Sequence, residues 1–402
     1  MKVIVDEVKI DEILSRGVHE VFTKEDLKNK LMSGKQLHIK LGTDVTGAFL
    51  HLGHSVLHRK VRDFQELGHK VTLIVGDFTT LVGDHSDKVD MRADITEEQI
   101  KKNQKGWEKQ FYKTIIKESS KIRNNSDWLK KLTFKDVLNL TKQFTVSQML
   151  DRETFLLRYN SGKPIGLDEF LYPLMQGYDS VAIKCDVEIG ATDQTFNLLA
   201  GRRLMESFSM KPQSALIMKL LVGSDGRPMG KSLQNFIAIG EDPNEMYGKI
   251  MSIVDSVIFE YFELVTRVPM NKIEEMKKAV SDGANPMIYK KILAREIVSF
   301  YHGEKAAEKA ESSFENTFSK GEIPEDIKKV TVKIKMPLVD ILIKNGMVSS
   351  KSEFRRLIEE GAIKFFVNTE ERKIIDPQTL VEGDGAIKIG KKRFIHITVQ
   401  KK

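Results

Sequence analysis

Between Leu37 and Phe64 the hydrophobic rhythm of the chain changes. Leu37, Ile39 and Leu41 alternate with polar residues, the period of a half-buried strand. Val56, Leu57, Lys60, Val61 and Phe64 then fall on one stripe at helical spacing. Between the two runs lies the small-residue segment Gly42-Thr43-Asp44-Val45-Thr46-Gly47-Ala48-Phe49-Leu50-His51-Leu52-Gly53-His54-Ser55. A second apolar, β-branched run, Lys70 to Phe78, follows and carries Gly76-Asp77 near its end. Strand, helix and strand at this spacing form a parallel βαβ unit, which confines the chain to an α/β fold. In such folds ligands collect beyond the carboxyl ends of the strands. A helix that starts there offers unpaired N–H groups and a positive dipole end to phosphates. His51 and His54 are three apart and share one side of its first turn. Gly53 between them leaves the backbone open to a flat base.

A chain of 402 residues calls for two or three domains. At 41% hydrophobic and 30% charged it reads as globular. No apolar run approaches the length of a membrane span, and the acids in Met1-Lys2-Val3-Ile4-Val5-Asp6-Glu7 stand where a signal peptide needs an apolar core. The single cysteine, Cys185, allows no internal disulfide and reads as a small buried hydrophobe in a strand. These features lead to an expected cytoplasmic location. The net charge is +7, and Thr331 to Lys402 alone holds 15 Lys and Arg against 9 Asp and Glu. A small basic module on a nearly neutral body is the footprint of nucleic-acid binding.

Residues 1–35 read as helical from Ile10, Ile13, Leu14 and Val18, then Leu27, Leu31 and Met32. Residues 91–165 read as a helical insertion, opened by Thr96 and Gln99 at capping-box spacing and broken at Asn124-Asn125-Ser126-Asp127-Trp128. Tyr172, Gln176 and Asp179 fall at i, i+4 and i+7 and share one helix face. Strands are expected at Val181–Val187 and at Ser214–Leu221. Residues 236–325 read as helices, followed by a polar linker from Ser319 to Lys329 and a compact module. In that module Ser349 and Ser350 lead a helix whose exposed Lys351, Arg355 and Arg356 suit phosphates, and Ile363 to Val367 reads as a strand.

A second element stands roughly 175 residues beyond the histidines, Gly226-Arg227-Pro228-Met229-Gly230-Lys231-Ser232-Leu233-Gln234-Asn235. With His51-Leu52-Gly53-His54 it resembles the class I aminoacyl-tRNA synthetases, whose two signatures are H-[IL]-G-H and K-M-S-K-S. The adjoining residues resemble the bacterial tyrosyl-tRNA synthetase family from about residue 35 to the C-terminus. The resemblance implies the following roles. His51, His54 and Lys231 are catalytic. Asp84, Tyr172 and Gln176 hold the α-ammonium of tyrosine, Asp179 accepts from its phenolic hydroxyl, and Gln194 lines its pocket. Gly42, Asp44, Gly53, Gly190, Ala191, Asp193, Met229, Lys231 and Ser232 surround ATP, with Asp193 on the ribose. Pro228 stands at the first lysine of the second signature, and Arg227 is its nearest replacement. Lys40 stands two residues before Gly42, where many members carry a second tyrosine against the substrate hydroxyl. As a strand residue it can face the cleft or point outward.

The expected architecture is a Rossmann-like class I synthetase catalytic domain over 1–225, with the helical insertion at about 91–165. A signature loop and helical anticodon-binding domain over 226–325 follow, then a small α+β RNA-binding domain over 333–402. The expected reaction is two-step tyrosine–tRNA ligation. Tyrosine and ATP give tyrosyl-adenylate and pyrophosphate, and the tyrosyl group passes to the 3′ end of tRNA-Tyr. Mg2+ accompanies ATP, no metal site is assigned to the chain, and the protein is expected to be a homodimer without membrane contact. The alternatives are tryptophan as the amino acid, and a non-catalytic paralogue that binds structured RNA.

Overall fold

In the apolar alternation at Leu37–Leu41 every residue but His38 is buried, and Ile39, Lys40 and Leu41 are buried within a strand because both of its faces are covered. The computed structural model describes residues 2–84, 95–230, 233–319, 327–367, 370–390 and 393–400. It divides into two compact units, Met1–Ala307 and Glu308–Lys402.

The first unit is built on a six-stranded sheet of β1 (Val18–Phe22), β2 (His38–Asp44), β3 (Lys70–Gly76), β4 (Ser120–Asn124), β5 (Val187–Ala191) and β6 (Ser214–Met218). Their order is β1-β6-β5-β2-β3-β4. All neighbours are parallel except β1, which runs antiparallel to β6. From β2 the chain winds outward through β3 to β4 on one side, and returns as β5 on the other. The crevice beyond the carboxyl ends of β2 and β5 is therefore the switch point where ligands bind in open α/β sheets. β3 carries Val71, Leu73, Ile74 and Val75 with both faces buried, as a central parallel strand requires.

Five local expectations are corrected. Residues 1–35 are not all helical. Helices cover Glu7–Ile13 and Lys24–Met32, while Val18–Phe22 forms the edge strand β1, whose pattern is set by pairing with β6 rather than by its own weak periodicity. The strand expected at Val181 lies instead in the helix Tyr172–Ile183, which ends at Lys184 in the left-handed region with φ 52°; β5 begins only at Val187. Val181 is buried on the helix, so a β-branched run served a helical face. The span read as a helical insertion contains β4, which adds to the sheet beside β3. Of the capping-box pair, Thr96 accepts from Gln99 N at 3.2 Å, but the Gln99 side chain turns to Asn103. Cys185 sits outside any strand. Its Sγ donates to Gln213 Oε1 at 2.8 Å, and burial pushes the thiol up to about 12, which makes it inert.

The helices Tyr172–Ile183 and Thr195–Ser207 approach closely at Gly177. A Cβ there would meet Leu204 Cδ1 at 2.8 Å and the backbone N of Gly201 at 3.1 Å. Beyond β6, helices at Pro243–Met251, Ile258–Val265, Met270–Ser281 and Pro286–His302 complete this unit. Asp242 and Asn285 cap the first and last of these from the residue before the proline, each accepting from the backbone N two residues on.

The second unit carries a five-stranded sheet of β7 (Lys328–Lys333), β9 (Ile363–Val367), β10 (Glu370–Lys373), β12 (Gly385–Ile389) and β13 (Arg393–Gln400), in the order β10-β9-β12-β13-β7. A short ribbon pairs β8 (Met336–Pro337) with β11 (Leu380–Val381). Its core joins Leu338, Ile341, Leu342, Phe354 and Leu357 from two helices to Ile363, Ile387, Ile395 and Ile397 from the sheet. In the second of these helices, Lys351–Glu359, Ser350 caps the N-terminus by accepting from Glu353 N at 3.1 Å.

Candidate active site

The end of β2 and the start of the helix Leu52–Glu66 open onto a cleft of about 330 Å3. His51 caps that helix, and its backbone N donates to His54 Nδ1 at 3.3 Å. The two rings sit 3.9 Å apart, centroid to centroid, at 60°. They stand at the positive end of the helix, where an anion is stabilised.

The first signature is joined by backbone pairing to the residues that directly follow the second. Leu52 N donates to Ile237 O at 3.0 Å, and Ile239 N donates to Leu50 O at 2.9 Å, with a bridge between His51 and Ala238. The turn before them is stapled by Asn235, whose Nδ2 donates to Asp225 Oδ1 at 2.8 Å and to Pro228 O at 3.1 Å, while its Oδ1 accepts from Gly230 N at 2.9 Å. Asp225, held by Asn235 and Arg227, titrates at about 2. Arg227, the expected stand-in for the lysine replaced by Pro228, is engaged by Asp225, with its Nε 2.8 Å from Oδ2. Lys231 and Ser232 lie outside the described residues.

Gly42, Asp44, His51, Gly53, His54, Asp84, Tyr172, Gln176, Asp179, Gly190, Ala191, Asp193, Gln194 and Met229 all line the one cleft. The glycines do so for different reasons. A Cβ at Gly42 would meet nothing within 4 Å, so its lack of side chain leaves open space. At Gly53 a Cβ would stand 3.0 Å from the His51 ring, so the glycine leaves room for that ring, while Met229 Sδ at 3.6 Å would be an ordinary contact. At Gly190 a Cβ would meet Leu198 Cδ1 at 2.8 Å; here the glycine serves the packing of the Thr195–Ser207 helix on β5.

The polar walls are connected. Tyr172 donates its hydroxyl to Asp44 Oδ2 at 3.1 Å, and Thr79 Oγ1 donates to Asp44 Oδ1 at 2.7 Å. Burial first, then the Asp44 carboxylate, hold the Tyr172 phenol well above its ordinary value. Asp84 Oδ2 accepts from Gln194 Nε2 at 2.5 Å, and its Oδ1 lies 3.4 Å from Arg152 Nη2. Asp179 accepts from Trp128 Nε1 at 2.8 Å and from Asn125 Nδ2 at 3.4 Å. Burial pushes its carboxyl up to about 7, against the pull of nearby Lys40 and those hydrogen bonds. The three side chains expected to share one ammonium are thus engaged with different partners in the same cleft: Tyr172 with Asp44, Asp84 with Gln194 and Arg152, and Gln176 with Glu188.

Lys40 does not point outward. It is fully buried and pairs with Glu188 at 2.9 Å. Sequence reasoning also passed over Asn125, Trp128, Thr79 and Arg152. Asn125 and Trp128 look in the sequence like a helix break, yet an indole and an amide beside a parallel strand end are groups that need partners if buried.

The family model described as tRNA synthetases class I (W and Y) matches residues 32–319. The curated tyrosine–tRNA ligase of Dehalococcoides mccartyi is 45% identical over 392 residues, 96% of this chain and 98% of that protein. That of Carboxydothermus hydrogenoformans is 44% identical over 415 residues, 99% of this chain and all of that protein (100%). That of Thermotoga maritima is 41% identical over 391 residues, 96% of each. Among solved structures, a C-terminally truncated mitochondrial tyrosyl-tRNA synthetase of Aspergillus nidulans matches with TM-score 0.64 at 21% identity, over 77% of this chain and 94% of that one. The tyrosyl-tRNA synthetase of Archaeoglobus fulgidus, complexed with L-tyrosine, matches with TM-score 0.60 at 20% identity, over 76% of this chain and 100% of that one. At these identities the structural likeness is one of fold.

Proposed function

The chain belongs to the class I tRNA synthetases of the tryptophan and tyrosine group, and from that membership we propose how its cleft joins tyrosine to tRNA. The reaction is ATP-dependent tyrosine–tRNA ligation, as in its curated relatives. In the proposed mechanism, the carboxylate of tyrosine attacks the α-phosphate of ATP in line and pyrophosphate leaves. No protein nucleophile is needed; the chain positions the reactants and stabilises charge on the transferring phosphoryl group. His51 and His54 at the helix N-terminus carry that charge stabilisation, together with Lys231. Gly42, Asp44, Gly53, Gly190, Ala191, Asp193, Met229 and Ser232 surround the nucleotide. The adenylate then passes its tyrosyl group to the 3′ end of tRNA-Tyr. We write Mg2+ as part of the ATP substrate, held through its phosphates; among the described residues no group of three or more His, Cys, Asp or Glu could hold a metal.

The observation that carries the choice of amino acid is the setting of Asp179. Two donors, Trp128 and Asn125, fix it in the cleft wall. A carboxylate has about four acceptor positions, so some remain for a phenolic hydroxyl. Phenylalanine would leave them buried and unpaired, which costs about 1–3 kcal/mol for a single polar group and more for a charged one. Asp84, Tyr172, Gln176 and Gln194 take the amino-acid head. ATP–pyrophosphate exchange with each of the twenty amino acids tests the reading. Tyrosine alone should drive rapid exchange. Equal rates with phenylalanine, a preference for tryptophan, or no exchange would each overturn it.

We further propose that residues 226–325 meet the anticodon arm, and that residues 333–402 hold tRNA through Lys351, Arg355 and Arg356. Two copies of the chain would pair through the apolar side chains of 134–167, as developed below. The proposed location is the cytoplasm, with the tRNA pool; no helix of the described residues is long and apolar enough to cross a membrane. Fractionation of cells would place the protein in the soluble cytoplasmic fraction if this holds.

A further inference from the structure

At the switch point of the sheet, the register of β2 and β5 sets Lys40 opposite Glu188. Both side chains are closed to solvent, 0% and 1% exposed. The lysine ammonium has three acceptors for its three protons: Glu188 Oε1 at 2.9 Å, Ser180 Oγ at 2.7 Å and the main-chain oxygen of Gln176 at 2.7 Å. Burial opposes the ammonium, but the carboxylates of Glu188 and Asp179 outweigh it, and Lys40 titrates above its ordinary value. The second oxygen of Glu188 accepts from Ser180 Oγ at 3.2 Å and from Gln213 Nε2. Every polar group of the pair is therefore engaged.

A buried pair of this kind adds little to stability compared with apolar side chains of the same volume. What it touches gives it a purpose. Gln176 is gripped twice, by Lys40 at its main-chain oxygen and by Glu188 Oε1, which accepts from Gln176 Nε2 at 3.2 Å. A carboxylate can only accept, so the amide of Gln176 must turn its nitrogen toward Glu188. Its oxygen is then the end left for the cleft that Gln176 lines. A reversed amide would set oxygen against oxygen inside a buried network, where such a conflict is most costly.

We propose that the Lys40–Glu188 pair is a positioning device for the amino-acid head. It fixes the Gln176 amide with its oxygen toward the cleft, as an acceptor for the α-ammonium of the substrate. The inference rests on the reading of the cleft given above. Lys40 and Glu188 touch neither substrate nor nucleotide; they act through Gln176.

The test compares two ligands in the pyrophosphate-exchange assay: L-tyrosine as substrate, and 3-(4-hydroxyphenyl)propionate, which lacks only the amino group, as competitive inhibitor. Glu188→Gln puts an amide opposite an amide and removes the compulsion on Gln176. The double variant Lys40→Met/Glu188→Gln does the same and leaves no charge buried alone, so it serves if the single variant does not fold. Ser180→Ala, the mildest change, removes one acceptor from the lysine. For the first two, KM for tyrosine should rise roughly 10–100-fold, the loss of one hydrogen bond to a charged group. The inhibition constant of the deamino analogue and KM for ATP should stay within about 2-fold, since neither ligand carries that ammonium. Ser180→Ala should move the same ratio in the same direction by less. Parallel weakening of tyrosine and its deamino analogue, or no weakening of either, overturns the inference alone. Absence of tyrosine-dependent exchange in the unaltered protein would overturn the site reading and this inference with it.

Discussion

Asp179 shows how one residue ties stability to selectivity. In the folded protein its carboxyl is raised to about 7 from an ordinary value of 3.8, with burial as the main cause. The folded state therefore binds more protons than the unfolded state between those limits. Its contribution to stability is whole below the unfolded value and is lost as pH rises toward 7. Asp179→Asn removes that loss. At pH 8 the variant should unfold at a higher urea midpoint than the parent, with an unfolding free energy larger by on the order of 2–4 kcal/mol, and the gap should close by pH 4. Tyrosine activation should fall by about 10–100-fold in kcat/KM and its margin over phenylalanine should shrink. An unchanged margin would remove Asp179 from the phenol site, and a lower midpoint at pH 8 would show that the carboxylate is not a burden there. The helix face of Tyr172, Gln176 and Asp179 was legible from spacing alone. The partners of Asp179 were not, because Trp128 and Asn125 come from a segment some fifty residues earlier that reads locally as a break.

At the scale of elements, the Leu52–Glu66 helix and the Lys351–Glu359 helix are both written plainly in the sequence, and each presents charge in its own way. The first gathers its chemistry at its N-terminus. The second is amphipathic along its length: Phe354, Leu357 and Ile358 are buried, while Lys351, Arg355 and Arg356 are exposed. Lys351 lies 3.8 Å from Asp340, and Arg356 lies 3.7 Å from Glu360, loose surface pairs worth little. Phosphates can displace such pairs without loss of the fold. Replacing the three basic residues with Gln should weaken tRNA binding and lower the slope of log K against log salt by roughly two to three. Exchange with tyrosine and ATP alone should stay unchanged. A salt slope equal to that of the parent would show that this helix does not meet the phosphates. The elements misjudged from sequence are those whose state was set by neighbours. β1 exists as an edge strand because β6 pairs with it, and Val181–Ile183 remain helical because that helix packs on Thr195–Ser207.

For the whole molecule, the exposed apolar surface indicates how copies assemble. Phe134 is 79% exposed, Val146 69% and Leu167 82%, with Leu138, Leu156, Leu157 and Tyr159 also exposed in the same segment. Large apolar side chains concentrated in this way mark an interface. We propose a homodimer through this segment. Sedimentation should give twice the chain mass of 45.8 kDa, and Phe134→Glu with Leu167→Glu should give the monomer. A parent chain that sediments as a monomer at micromolar concentration would refute the assignment. The sequence by itself determined the parallel α/β core, the basic C-terminal module and the two signature segments, because periodicity, charge and small-residue turns are local properties. Only the tertiary structure decided that the first signature bridges to the chain just after the second, at His51 and Ala238, that Lys40 turns inward onto Glu188, and that Asp179 is held by an indole. Each of these depends on which surfaces are buried together, and a buried charge or hydroxyl finds its partner in space rather than along the chain.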